Sequence, residues 1–303
     1  MDFHTTEKRH EVLALILLFA STVMSFAARA QEHHASGTSS SEWNDNSLIE
    51  VQKGKGDPAR YGDVKIEFYG HNAFMITSPT GLTVLTDPWR NDSTGHYPRW
   101  FLDDFPAIQV DIVLSTHAHF DHDAVERPNG LVILERLIGQ FKLGDVEITG
   151  LADKHKCEPA LPNTCPPANV LGFDNAIQII ETGGLRIAIW GDNRPIPDPS
   201  LDPYLRNVDV LILPIETILT RAEVDSIVRK YDPKAVIPAH YFLNGLTTDV
   251  SRLESAEGWV AAQEKAHHAD VRRLDAADLT LNVAELKGSH HRIYYFDDHF
   301  KKK

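Results

Sequence analysis

The chain has 303 residues, of which 42% are hydrophobic and 24% charged, and a formal net charge of −13 at pH 7. This is an ordinary composition for a soluble globular protein, long enough for one large α/β domain or two small ones. The acidic balance argues against a nucleic-acid partner, whose surface would require a basic patch.

Residues 1–30 read as a signal peptide. Val12 to Ala28 is uncharged and ends in Ala28-Arg29-Ala30, a small-x-small site for cleavage after Ala30. Lys8 and Arg9 are offset by Asp2, Glu7 and Glu11, so the leading segment lacks a clear positive charge. An uncleaved membrane anchor is therefore the alternative. Cleavage is preferred, with no stable membrane insertion afterwards, which places the mature protein in the periplasm or outside the cell. Residues 31–60, polar and rich in small residues, form a flexible leader, with His33 and His34 belonging to it.

The folded domain is expected over 61–287. Val64 to Tyr69 alternates as a half-buried strand does, and Gly70-His71-Asn72 turns the chain into a second strand, Ala73 to Thr77. The strand from Leu82 ends in Thr86-Asp87-Pro88-Trp89. Residues 90–109 mix aromatic and charged side chains without period, as a substrate-facing loop does. The apolar run Val110 to Leu114 reads as a buried strand.

Directly after that run comes His117-Ala-His119-Phe-Asp121-His122-Asp123. Side chains at i and i+2 beyond a strand end can point the same way, so His117 and His119 can grip one cation. Asp121 and His122 can then reach a second beside it. Neutral imidazole suits zinc and other transition metals, and carboxylate adds the negative charge needed to hold dications. Asp123 to Arg127 is expected to start a helix. A strand from Val146 leads to His155, just past its end.

Ala176–Thr182, Gly183-Gly184 and Leu185–Trp190 form a hairpin whose second strand ends in Gly191-Asp192. Val208–Pro214 is a central strand. Thr220 caps a helix from Arg221 to Tyr231 with apolar residues at 224, 227, 228 and 231. Ala235–Ala239 then delivers His240. A helix over Ser251–Ala269, with His267 and His268 near its end, and a closing strand over Leu279–Leu286 follow. Residues 288–303, with His290, His291 and His299, read as a polar tail.

The H-x-H-x-D-H pattern after a hydrophobic strand resembles the metallo-β-lactamase superfamily. The strand, Gly-His, strand and Thr-Asp-Pro-Trp series is similar to its ascorbate-6-phosphate lactonase-like branch. The resemblance covers roughly residues 62–245 and implies an α/β fold, a four-layer αβ/βα sandwich. It implies that His117, His119 and His155 hold one metal, that Asp121, His122 and His240 hold a second, and that Asp192 bridges them. Asp121 and Asp192 would then be the catalytic carboxylates. Asp87 would hydrogen-bond the metal-binding loop, a role ligating histidines need filled, the alternative being that it caps the turn before Pro88. His71, in its turn, either lines the pocket or is an ordinary turn histidine.

Two divalent ions are expected, zinc first, with manganese or iron as alternatives. Such a centre lowers the pKa of bound water and supplies a hydroxide nucleophile for an ester, lactone or phosphodiester of a small-molecule substrate. No G-x-S-x-G sequence supplies a serine nucleophile. His119 stands where the oxygen-reducing di-iron branch has a glutamate, and true β-lactamases lack the bridging aspartate. A periplasmic β-lactamase and a non-catalytic metal-binding protein on the same fold are the alternatives. In an oxidising compartment Cys157 and Cys165 are expected to close a small disulfide loop, since their spacing does not fit a C-x₂-C zinc site. A homo-oligomer is compatible with the sequence.

Overall fold

The computed structural model describes residues 61–157, 172–267 and 269–302. The expected signal peptide and leader, Cys165 and His268 lie outside the described residues. Cys157 is disulfide-bonded.

The chain builds two sheets. In the six-stranded sheet, β1 (Val64–Phe68), β2 (Phe74–Thr77) and β3 (Thr83–Thr86) form an antiparallel meander. β4 (Gln109–Ser115) and β5 (Asn129–Glu135) then add in parallel. The eight-stranded sheet starts with the antiparallel series β6 (Gly139–Leu143), β7 (Val146–Asp153), β8 (Asn175–Thr182) and β9 (Leu185–Ile189). It continues in parallel through β10 (Val210–Pro214) and β11 (Ala235–Ala239). β12 (Val271–Arg273) and β14 (Arg292–Tyr295) complete it, while β13 (Asp278–Leu281) returns to pair with β1.

Local chemistry explains the main elements. Every residue of β10 and β11 is buried, the signature of strands covered on both faces. Gly183 and Gly184 both have positive φ, as the tight turn between β8 and β9 requires. The helix Arg221–Tyr231 carries a capping box between Thr220 and Glu223 and buries Val224, Ile227, Val228 and Tyr231. Its length lets β10 and β11 lie parallel. The two mixed sheets with their helices make the expected αβ/βα sandwich, although helix is sparse. Among the described residues, no helix is long and apolar enough to cross a membrane.

Four expectations change. Residues 123–127 form turns rather than a helix. The last long helix is Glu257–His267, preceded by a 3₁₀ turn at Asp249–Ser251. The closing strand is the short β13, because Asn282 instead accepts from the backbone of Glu285 in a turn. Residues 288–303 are not simply a polar tail, since β14 lies between β11 and β12 with Ile293, Tyr294, Tyr295 and Phe296 buried. Four apolar residues between charged neighbours are too few to show a period, and parallel partners supply the reason to bury them. Beyond β14, Lys301 donates its backbone N–H to Phe68 and its ammonium to Asp278, so the terminal residues are tied to β1 and β13. The edge strands β6 and β12 also carry little sequence signal, being largely exposed.

Ile293 is 2% exposed at the centre of β14. Ile293→Ala is expected to cost about 2–5 kcal/mol in denaturant unfolding. A loss near zero would mean that β14 is not part of the cooperative fold.

Candidate metal centre

Six loops, each following a strand, converge on one place. His71 follows β1, Asp87 follows β3, and His117 to His122 follow β4. His155 follows β7, Asp192 follows β9 and His240 follows β11. All seven sequence-derived ligands meet there in two groups of potential ligand atoms, each group within 4.8 Å. One contains His117, His119, His155 and Asp192; the other contains His71, Asp121, His122 and His240.

Asp87 organises the histidine-rich loop after β4. Fully buried, it accepts from the backbone N–H of Thr116 at 2.7 Å, the Thr116 hydroxyl at 2.8 Å and the Asn72 amide at 2.6 Å. It also receives Nδ1–H of His122 at 2.8 Å. This contact leaves the His122 Nε2 lone pair facing the centre. The Thr116 hydroxyl, already donating to Asp87, accepts from Nδ1 of His117 at 3.0 Å and turns that Nε2 inward as well. His155 donates Nδ1–H to the Lys156 carbonyl at 2.6 Å, with the same result.

The carboxylate of Asp192 touches both groups. Its Oδ2 lies 3.4 Å from His155 Nε2, 3.7 Å from His117 Nε2 and 3.5 Å from His240 Nε2. Its Oδ1 lies 3.5 Å from His122 Nε2. Gly191 makes this position attainable, since a Cβ there would sit 2.6 Å from the Thr116 hydroxyl. Asn193 and Asn175 brace the loop below, hydrogen-bonding each other at 3.1 Å, and Asn193 reaches Asp153 at 2.7 Å.

His71 is more than a pocket lining. It is fully buried, donates to Asp121 Oδ2 at 3.0 Å and packs its ring 3.9 Å from that of His240. Both residues have a φ of 59°, and the backbone N–H of His240 donates to the His71 carbonyl at 2.8 Å. A left-handed backbone is unfavourable for histidine and is kept where surrounding contacts enforce it, often at functional sites. The sequence signal for His71 was its place in a turn directly after a strand, which by itself does not separate a site residue from an ordinary turn histidine. Asn72 and Thr116 were missed because their roles exist only through Asp87.

The electrostatics suit a cation. Burial by itself would raise Asp121 and Asp192, but the surrounding imidazoles hold both well below the usual carboxylate range. Burial opposes charge on His122, yet Asp192, Asp121 and Asp87 outweigh it and push the ring up to about 10, so a divalent metal at Nε2 would take the place of a proton and free that lone pair. His71, buried and beside His240, is pushed down to about 3 and stays neutral. His122 Nε2, His155 Nε2, His240 Nε2 and Asp192 Oδ1 are buried with no hydrogen-bond partner. Inward-facing lone pairs and buried carboxylates fit divalent metal, which satisfies both at once.

Replacing Asp87 with Asn keeps the shape and removes the charge behind His122. Asp87→Asn is expected to weaken divalent metal binding about 10- to 100-fold in a chelator-competition titration. Unchanged affinity would reduce Asp87 to a purely structural role.

Residues 65–240 match the model of the beta-lactamase superfamily domain. The chain is 26% identical over 235 residues to a metal-dependent hydrolase of Thermodesulfovibrio yellowstonii, spanning 64% of this chain and 86% of that one. It is 24% identical to another from Rubrobacter xylanophilus, spanning 63% and 88%. The fold is similar to that of a Thermotoga maritima protein described as a Zn-dependent hydrolase of the metallo-β-lactamase superfamily. That match has a TM-score of 0.53 at 20% identity and covers 77% of this chain and 98% of the other. The structure of a Veillonella parvula protein described as a possible metal-dependent hydrolase is similar in fold at a TM-score of 0.52 and 14% identity, covering 73% and 100%. The chain belongs to the metallo-β-lactamase superfamily and is one of its metal-dependent hydrolases.

Proposed function

We propose that this protein is an exported dinuclear hydrolase acting on an ester, lactone or phosphodiester bond of a small molecule. The observation that carries the reading is the reach of Asp192, whose two oxygens approach histidines of both groups. A carboxylate held in that position can serve two ions at once. His117, His119 and His155 would hold one ion; Asp121, His122 and His240 would hold the other. His71 would keep Asp121 oriented through their hydrogen bond.

Zinc is the first choice for such a nitrogen and oxygen set, with manganese or iron as alternatives. Divalent metal supplies Lewis acidity and brings the ionisation of water within reach of neutral pH. The chain's own contribution is placement. Asp87, Thr116 and the Lys156 carbonyl fix three imidazole rings, and the loop beyond β4 leaves His119 facing an open cavity of about 1310 Å³. His119, Asp121, His155, Asp192 and His240 line one part of that cavity, so a substrate entering it meets both ligand groups. The strand and Thr-Asp-Pro-Trp series supports a place near the lactonase-like branch. Export is supported by the apolar segment Val12 to Ala28 and by the disulfide-bonded Cys157, a bond suited to an oxidising compartment.

Protein beginning at Gln31 is expected to carry about two metals per chain by elemental analysis. His119→Ala and Asp192→Ala should each lower metal content and reduce turnover by at least about 100-fold, the scale on which even outer partners of a metal site act. Full metal content in either variant would refute the ligand assignment. Chelator-sensitive hydrolysis in a panel of lactones, esters, phosphodiesters and β-lactams identifies the bond; silence with both metals bound would favour a binding role. Expression of the full chain in a Gram-negative host should release a periplasmic form beginning at Gln31, as read by N-terminal sequencing. Recovery of the intact N-terminus in the membrane fraction would support an anchor instead.

A further inference from the structure

The cavity over the metal centre has a wall that the hydrolytic chemistry does not require. Tyr97 and Trp100 come from the loop between β3 and β4, and Phe120 lies between His119 and Asp121 in the metal-binding loop itself. The three rings contact one another: Tyr97 to Phe120 at 5.4 Å, Trp100 to Phe120 at 5.1 Å and Tyr97 to Trp100 at 6.4 Å between centroids. They are not core residues. Tyr97 is 47% exposed, Trp100 and Phe120 are half-buried, and all three line the cavity.

The loop holding Tyr97 and Trp100 is built to stay in place. Asp92 accepts from the backbone N–H groups of Thr94 and Tyr97, each at 2.9 Å. The Asn91 side chain both donates to the Phe101 carbonyl at 3.0 Å and accepts from its N–H at 2.8 Å. Phe101 is fully buried and stacks on Trp89 at 4.4 Å. From the other side Thr248 donates its backbone N–H to the Trp100 carbonyl at 2.9 Å. An aromatic surface fixed before binding loses little entropy when a ligand lands on it.

The charged residues of the cavity narrow the ligand further. Arg90 and Lys156 are each held by a carboxylate, Glu126 at 3.0 Å and Glu223 at 2.7 Å. Outside the metal-ligand groups, the lining acids Asp92, Glu216, Asp249 and Glu254 outnumber the lining cations Arg90, Lys156 and Arg252. Such a rim opposes a polyanion and accepts a neutral molecule.

We infer that the Tyr97–Trp100–Phe120 wall is a recognition subsite for a flat aromatic group on a neutral ester or lactone substrate. The assignment rests on the hydrolase reading for its chemistry, but the subsite can be tested by binding alone. Aromatic rings packed at an edge or offset gain beyond simple area burial, whereas a saturated ring of the same size is more apolar and lacks that gain. Ring type therefore separates stacking from general greasiness.

The test compares two neutral probes, 3-phenylpropan-1-ol and 3-cyclohexylpropan-1-ol, by calorimetry on the metal-loaded protein. It then compares hydrolysis of methyl 3-phenylpropanoate and methyl 3-cyclohexylpropanoate. In both esters water adds at the acyl carbon and methanol leaves. The phenyl alcohol should bind about two- to twelve-fold tighter than the cyclohexyl one, and KM for the esters should follow the same order. Trp100→Leu, which keeps an apolar side chain and removes one ring of the three, should reduce that preference while metal content stays as in the unaltered protein. Equal or tighter binding of the cyclohexyl probe, or a preference undiminished in Trp100→Leu, would overturn the subsite. If the phenyl preference appears in binding and neither ester is cleaved, the subsite stands and the ester reading falls.

Discussion

One buried carboxylate carries much of the architecture. Asp87 has no exposed surface, so its charge is tolerable only because four donors surround it: Asn72, Thr116 twice, and His122. These donors come from the turn after β1 and the loop after β4, while Asp87 itself ends β3. A single anion thereby ties the β1–β2 turn to the ends of β3 and β4 in the six-stranded sheet and sets the direction of two imidazole rings. Removing one donor would leave part of the charge unmatched, which is why the cluster behaves as a unit.

The other half of the centre is supplied by the second sheet. β7, β9 and β11 end on the same side and deliver His155, Asp192 and His240 to the histidines beyond β4. The site therefore requires the two sheets to face each other in register, and each sheet alone holds only part of a ligand set. Folding and metal binding are coupled on this account, because the unfolded chain offers no preformed cage. Contacts such as His240 N–H to the His71 carbonyl cross between the sheets at the place where the ligands must meet. Such bonds allow two histidines to keep a left-handed backbone.

Above this rigid base the loop from Asn91 to Phe101 adds a surface of a different kind. Its backbone is tied through Asp92, Asn91 and Thr248, and while Phe101 anchors it in the core, Tyr97 and Trp100 face the cavity. On the proposed reading, the strand ends carry the reaction chemistry and this loop, together with Phe120, contributes to substrate choice. The strand ends hold charge, and a loop shapes what can approach it.

Much of this was legible in the amino-acid sequence, because the relevant signals are local. The apolar run into His117, the Gly183-Gly184 turn and the 3.6-residue period of Arg221–Tyr231 each depend on neighbours within a few positions. The cluster His117 to His122 announces metal chemistry for the same reason. The candidate ligands at 155, 192 and 240 were visible only as strand-end residues, with the family resemblance assigning them roles. Tertiary structure decided the rest. It alone brought His71 beside Asp121, gave Asn72 and Thr116 a purpose and placed Ile293 in a buried strand. Each of those facts depends on which distant segments become neighbours, and a short local pattern carries no record of that pairing.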